Sequence, residues 1–373
     1  MTSSPVPRFD LIRLRDYLTM AIQTSRGCPF DCEFCDIVNL YGHKPRYKNP
    51  DQVIRELEAL RKAGWRGPVF ISDDNFIGNR SHARAILNKM IPWLEANGKP
   101  FGFWCQASVN LGQDLELIDL LTAANFGEVF LGVETPDEEL LERNRKYQNV
   151  RNPLLTSLDN IKRNGLGIVA SFIIGFDGEQ EGAGERISRF VEAASIPVAM
   201  VNTLQALPNT RLWDRLKKEN RLLEHIKDGA VTGSRLNYVP TRPESRILRE
   251  YVEIWEYLYD PPRFLSRTLN YMMAVRPTRA ASASGRGDTP DRTPPPARVP
   301  LRDTIRDLKA FSRLIWWQGV VPSYRGQFWK QLILMRRQNP SRWVKYVDTL
   351  CVGENMLRLR KTVRQRASGM PAD

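Results

Sequence analysis

The chain has 373 residues, of which 42% are hydrophobic and 26% charged, the profile of a soluble protein with room for one large core and a smaller domain. No run reaches the roughly 18 uncharged apolar residues of a membrane span, and the N-terminal MTSSPVPRFDLIRLRDY lacks the apolar core of a signal peptide. The net charge of +13 is lopsided: residues 1–260 carry 33 Lys/Arg against 35 Asp/Glu, a net −2, and residues 261–373 carry 22 against 7, a net +15. The basic third could meet an anionic membrane surface, a nucleic acid or an acidic partner, or simply keep the chain in solution.

After a lead-in of residues 1–19, short apolar runs alternate with helical patterns. The runs are 20-MAIQTS, 68-PVFISDD, 101-FGFWCQASV, 128-EVFLGVE, 167-GIVASFIIGF and 197-PVAMVNTLQ. They are short and rich in β-branched and aromatic residues, which predicts strands buried on both faces. The clearest helix between them is 49-NPDQVIRELEALRKAG-64, with Asn49 as cap, Pro50 at the first helical position and Gly64 just past the end. Six strands alternating with helices predict an α/β fold over residues 20–210, either a partial (β/α)6 TIM-like barrel or an open doubly wound sheet, and both place their chemistry at the carboxyl ends of the strands. Residues 211–276 read as a helical extension, with 245-SRILREYVEIWEYLYD-260 the most periodic stretch. Residues 277–300, mostly Pro, Ala, Ser, Arg, Thr and Gly, predict a disordered linker. Residues 301–373 return to helix, with Trp316, Trp317, Phe328, Trp329 and Trp343 set among Arg and Lys. Those aromatics either form the core of a smaller helical domain or make a surface that touches lipid or an apolar substrate.

The chemistry concentrates in 24-TSRGCPFDCEFCD-36, where Cys28, Cys32 and Cys35 fall within eight positions with no fourth cysteine nearby. Five cysteines with three clustered fit a reduced, cytoplasmic setting better than a disulfide framework. Structural zinc and Fe–S clusters normally take four protein ligands. Three thiolates can hold three irons of a cubane and leave the fourth open to an outside ligand, as catalytic zinc sites keep one position free.

Cys-x3-Cys-x2-Cys, with Phe34 before the last cysteine and the first strand of a six-strand pattern ahead of it, resembles the radical S-adenosylmethionine (SAM) superfamily. The resemblance implies a [4Fe–4S] cluster on Cys28, Cys32 and Cys35, with SAM chelated at the open iron and cleaved by one electron into methionine and a 5′-deoxyadenosyl radical. By the same resemblance the end of the second strand, 72-SDDNF-76, contributes Asp73, Asp74 and Asn75 to cosubstrate binding, where family members often have Gly-Gly-Glu. Gln106 and Ser108 on the third strand and Glu134 on the fourth are further candidates. The fifth, 171-SFIIGFDGE-179, is similar to an adenine-packing Gly-x-Ile-x-Gly-x-x-Glu element, with Ile173 and Gly175 in register. A flavodoxin- or ferredoxin-type electron donor is expected as a partner.

At finer grain, PRFDLIRLRDYLTMAIQTSRGCPFDCEFCDI, YGHKPR, DDNFIGN, GVETP and LQALPNT look like the cobalamin-linked branch that includes hopanoid C2 methylases. Members carry a cobalamin-binding Rossmann-like domain upstream; about 20 residues precede the first predicted strand here, against roughly 100 for such a domain. Cobalamin is therefore expected only from a partner or a missing N-terminal domain. His43, in the turn 41-YGHKPR-46, is the one histidine close to the cysteines in sequence and is the candidate proton donor, with a turn residue bonded to backbone as the plainer reading. The leading expectation is an enzyme acting on a small apolar or lipid-like molecule, cytoplasmic with peripheral contact at the inner membrane surface. An RNA-modifying enzyme is the second reading, disfavoured because the C-terminus is helical and holds no second cysteine set. A cluster-binding remnant without turnover is the third.

Overall fold

The computed structural model describes residues 1–150, 153–223, 235–275 and 301–368. The predicted linker, 277–300, lies outside the described residues. Six parallel strands form one sheet in the order β1 (Met20–Ile22), β4 (Val69–Ile71), β5 (Phe103–Ala107), β6 (Phe126–Glu134), β7 (Gly167–Ile174) and β8 (Val198–Thr203). Each strand falls within or overlaps one of the six apolar runs, and sequential neighbours pair through helical crossovers, as parallel strands require. The helix Pro50–Lys62 starts as its sequence dictates: Asn49 and Gln52 cap each other's backbone N–H groups at 2.9 Å, and Gly64 takes φ +97° beyond its end. Val53, Leu57 and Leu60 on its inner face are fully buried.

The strands are not buried on both faces. Fully buried positions alternate with half-exposed ones along β4 to β7, as in Phe103-Trp104-Cys105-Gln106-Ala107. The register aligns the half-exposed row across the sheet: Phe70 beside Trp104, Gln106 beside Phe130, Gly132 beside Ser171, Ser171 beside Met200. One face thus packs against helices, and the other keeps a half-open, largely apolar surface on which Phe70 and Trp104 stack with centroids 4.0 Å apart. An apolar run in a single sequence cannot separate these cases, because aromatic residues serve both a buried face and a ligand-facing one.

A second, two-stranded ribbon pairs β2 (Ser25–Arg26) with β3 (Arg46–Tyr47) antiparallel. It closes the base of the loop that carries the cysteines, and its strands are too short for any periodicity to announce them.

The C-terminal helices dock on the sheet through buried polar contacts. From the helix Pro261–Ala274, the Tyr271 hydroxyl accepts from the Ile168 N–H at 2.7 Å, and Arg267 donates to the Ile196 carbonyl at 2.8 Å. Tyr259, just past the helix Glu244–Leu258, meets the Ala199 backbone at 2.7 and 3.0 Å. Farther along, Arg242 clamps the turn after β7: it donates to Glu179 at 2.7 Å and to Glu250 at 2.6 Å, while Glu179 accepts from the Gly175 N–H at 2.9 Å. Glu179 is buried, and burial pushes its carboxyl up to about 7 although the Gly175 N–H and Arg242 pull it down. Arg242 is shared with Glu250, which limits its hold on Glu179.

A folded pKa above the unfolded value makes this contribution to stability full below about pH 4.5 and lost as pH rises through about 7, a span worth roughly 3 kcal/mol. Glu179→Gln is therefore expected to remove that loss. In urea titrations it should gain on the native chain at pH 8 and show little difference at pH 4.5.

Candidate active site

The cysteine loop leaves β1 and β2 at the carboxyl end of the sheet, between Gly27 at φ +96° and the helix Ile37–Tyr41. Its root is fixed by Asp73, at the end of β4 and fully buried. The Thr24 and Ser25 N–H groups donate to one carboxylate oxygen at 2.6 and 3.0 Å, and their hydroxyls donate to the other at 2.5 and 2.7 Å. A carboxylate has about four acceptor positions, and all are taken, so Asp73 acts here as an anchor for the loop. Asp74 adds a fifth bond by accepting from the Gly27 N–H at 2.7 Å.

Cys28, Cys32 and Cys35 are free and partly buried. Burial pushes the Cys28 thiol up, against the Phe30 backbone and the Asn75 side chain, and burial with the neighbouring sulfurs pushes Cys35 up to about 12. The three sulfurs sense one another electrostatically. Among the described residues no three His, Cys, Asp or Glu side chains converge tightly enough for a single metal ion. A donor set of soft thiolates with no fourth member fits an Fe–S cluster with one open iron.

The loop is held from behind by Asn144 to Gln148, a segment that sequence reading did not single out. The Glu33 N–H donates to the Asn144 carbonyl at 3.0 Å. Arg145 pairs with Asp31 at 3.0 Å, and Gln148 donates to the Cys32 sulfur at 3.5 Å. Lys146 is ion-paired with Glu134 in the interior and lies 5.8 Å from the Phe34 ring centroid. Burial pulls the Lys146 ammonium down, but Glu134 and the Cys32 sulfur outweigh it and hold it charged. Glu134 follows a bulge in β6 at φ +67°, a left-handed conformation rare outside glycine and worth about 1–3 kcal/mol of strain. Gly132 makes room for the pair, since a Cβ there would sit 2.4 Å from the Glu134 carboxylate. From the other side, Arg211 pairs with Asp31 and Arg215 with Glu33, both at 2.7 Å.

The remaining candidates divide. Asn75 and Ser108 meet: the Asn75 amide donates to the Ser108 hydroxyl at 3.1 Å, which donates to Asn110 at 2.7 Å. The Asn75 carbonyl oxygen is buried with no partner among the described residues. Gln106 sits on the half-open face of β5, and Phe34 packs edge-on to Phe176 at 5.7 Å. His43 is exposed in the turn leading to β3. The signal for Lys146 lay in Glu134 itself, because a buried acid needs a cation; which cation, the sequence did not tell.

A parallel α/β barrel with three thiols on the loop after its first strand defines a class, and the family comparison agrees. The radical SAM superfamily profile matches residues 22–191, and a domain of unknown function, DUF4070, matches residues 210–368. Residues 22–191 are a radical SAM superfamily domain, a family that uses a [4Fe–4S] cluster and SAM. An uncharacterized methyltransferase of Synechocystis is 45% identical over 98% of this chain and 65% of its own length. The hopanoid C-2 methylase of Rhodopseudomonas palustris is 33% identical over 88% of this chain and 59% of its own length. The chain thus spans less than two thirds of these relatives. Among solved structures, the radical SAM methyltransferase TsrM of Kitasatospora setae, bound to tryptophan and a SAM analog, aligns at TM-score 0.49 and 20% identity, over 55% of this chain and 40% of that one.

An N–H donor to a cluster ligand favours the reduced, more negative state. Gln148→Leu is expected to lower the midpoint potential of the reconstituted cluster in an EPR-monitored titration. Lys146→Met should lower it too and, by leaving Glu134 buried without a partner, destabilise the fold by about 3 kcal/mol in urea.

Proposed function

We propose that this chain is the catalytic core of a radical SAM methyltransferase acting on a small, apolar, lipid-like molecule in the reducing cytoplasm. The observation that carries the reading is the placement of three free thiols, with no fourth, at the carboxyl end of a parallel sheet whose adjoining face is half-open and largely apolar. Methylation is supported by the relatives named as methyltransferase and methylase at 45% and 33% identity, and the lipid-like substrate by the name of the hopanoid C-2 methylase together with the apolar row of Phe70, Trp104, Phe130 and Met200.

In this reading Cys28, Cys32 and Cys35 hold the [4Fe–4S] cluster, which when bound supplies the electron for reductive cleavage of SAM. Asn75 offers its unpartnered carbonyl oxygen to the SAM ammonium group, with Ser108 orienting the amide from below. Asp74 fixes the loop backbone at Gly27, beside the first cysteine. Glu134 holds Lys146 behind the loop, and Gln106 lines the substrate side. A flavodoxin- or ferredoxin-type protein delivers the electron, and cobalamin, where the reaction uses it, comes from a separate domain or chain. Peripheral contact with the inner membrane surface would give access to a lipid-like substrate.

Anaerobic reconstitution with iron and sulfide, reduction, and assay of 5′-deoxyadenosine from SAM tests the proposal, with and without added cobalamin. The native chain is expected to form a cluster absorbance band and the nucleoside product. Cys32→Ala should lose both, with turnover falling by more than the roughly 10–100-fold that loss of a group supporting a metal ligand costs. Undiminished product from Cys32→Ala would sink the reading.

A further inference from the structure

Between the helices Leu301–Leu314 and Arg325–Gln338, residues Ile315–Val320 form a π-helical turn, IWWQGV. Such turns are rare because their hydrogen bonds align poorly, and they recur at functional sites. This one is braced from inside. The buried Gln318 side chain donates to Glu354 at 2.5 Å and accepts from the Tyr324 hydroxyl at 2.8 Å. The Gly319 carbonyl accepts from the Trp329 indole N–H at 2.8 Å, and the Val321 N–H reaches the Trp316 carbonyl at 3.1 Å.

The outer side of the same turn is apolar and uncovered. Trp316 is 56% exposed, Trp317 47%, Val320 45% and Val321 51%, and Trp329 and Ile333 on the next helix extend the patch at 39% and 49%. A rigid support holding six large apolar side chains in water is costly unless something covers them. The charge around the patch says what. From residue 308 to 347 the chain has eight Lys or Arg and no Asp or Glu. Lys309, Arg313, Arg325, Lys330, Arg336 and Arg337 are all exposed. Tryptophan and aliphatic side chains within a basic rim match the boundary of an anionic bilayer, where indole rings sit at headgroup depth and cations meet lipid phosphates. A nucleic acid would use the cations and stack on the indoles, but it offers nothing to Val320, Val321 and Ile333.

We propose that the π-helical turn Ile315–Val320 and the facing side of the helix Arg325–Gln338 form a docking surface for anionic membrane, with Trp316, Trp317 and Val321 entering the headgroup region. The inference names the element and lipid charge for the peripheral contact suggested above, and it stands on residues remote in sequence from the cysteine loop.

Flotation of the full chain with vesicles tests it, and needs neither cluster nor SAM, so it can fail while SAM cleavage succeeds, and the reverse. The native chain is expected to float with phosphatidylglycerol-containing vesicles at low salt, to float poorly with pure phosphatidylcholine, and to be released by high salt. Trp316→Ser with Trp317→Ser should weaken partitioning by about tenfold or more. Arg336→Glu with Arg337→Glu should abolish the preference for anionic lipid, with unchanged circular dichroism showing that both variants fold. Absence of flotation at low salt would overturn the proposal. So would Trp316- and Trp317-dependent binding to an RNA oligonucleotide without vesicle binding, or self-association through the same residues that persists while vesicles go unbound.

Discussion

The site depends on one buried carboxylate. Asp73 leaves the second strand of the sheet and takes four hydrogen bonds from two consecutive residues, Thr24 and Ser25, that leave the first. Two adjacent strand ends are thereby locked in register at the point where the chain turns into the cysteine loop. Hydrogen bonds to a charged acceptor are stronger than neutral ones, and leaving any of these donors buried and unmade would cost the full desolvation of that group. Without the knot, the ribbon of Ser25–Arg26 with Arg46–Tyr47 would have nothing to close against, since two-residue strands do not hold alone. The thiols inherit their placement from this anchor and from the two charged walls that grip Asp31 and Glu33.

The residues between the cysteines are therefore not spacers. Asp31 and Glu33 tie the loop to Arg145, Arg211 and Arg215, which come from two separate parts of the chain. Arg215 also pairs with Asp177 in the turn after β7. A single charged layer thus joins the loops after the first, fourth, fifth and sixth strands of the sheet. Partly exposed pairs contribute little individually, but several sharing carboxylates set one geometry for all of them. Rigidity of that kind is what a reaction needs when a thiol loop must present its ligands in one arrangement.

Sequence pattern reached the strands and stopped at the pairings. All six strands were legible because an apolar run flanked by a capped helix has few other readings. The half-open face was not, since Phe70, Trp104 and Phe130 look alike whether they pack or line a space. Asp73 read as one of three equivalent polar residues in SDDNF; only the structure separates it, fully bonded to the loop, from Asn75, whose carbonyl oxygen is unpartnered among the described residues. Lys146 was invisible for a different reason. It follows the helix Glu138–Arg143 in the polar stretch Asn-Arg-Lys-Tyr-Gln, where no period marks a residue as inward-facing. The aromatics of the C-terminal segment read either as core or as surface, and the structure divides them: Phe328 is buried, while Trp316 and Trp317 on the π-helical turn are exposed together.

The places where the two halves meet follow a division of labour. Arg211, Arg215 and Arg242 meet the carboxyl end of the sheet. From Tyr259 onward the C-terminal helices reach the sheet near strand beginnings: Tyr271 at Ile168, the second residue of β7, Tyr259 at Ala199, the second of β8, and Lys345 at Glu128 near the start of β6. In parallel barrels that end carries stability, and the opposite end carries chemistry. A module fastened there can be large, basic and apolar on its outer side without crowding the cysteine loop. The turn at Ile315–Val320 is braced toward the same end: bonds among Gln318, Glu354 and Tyr324 join it to the helix Trp343–Ser368, whose Arg360 donates to the Tyr259 carbonyl at 2.9 Å.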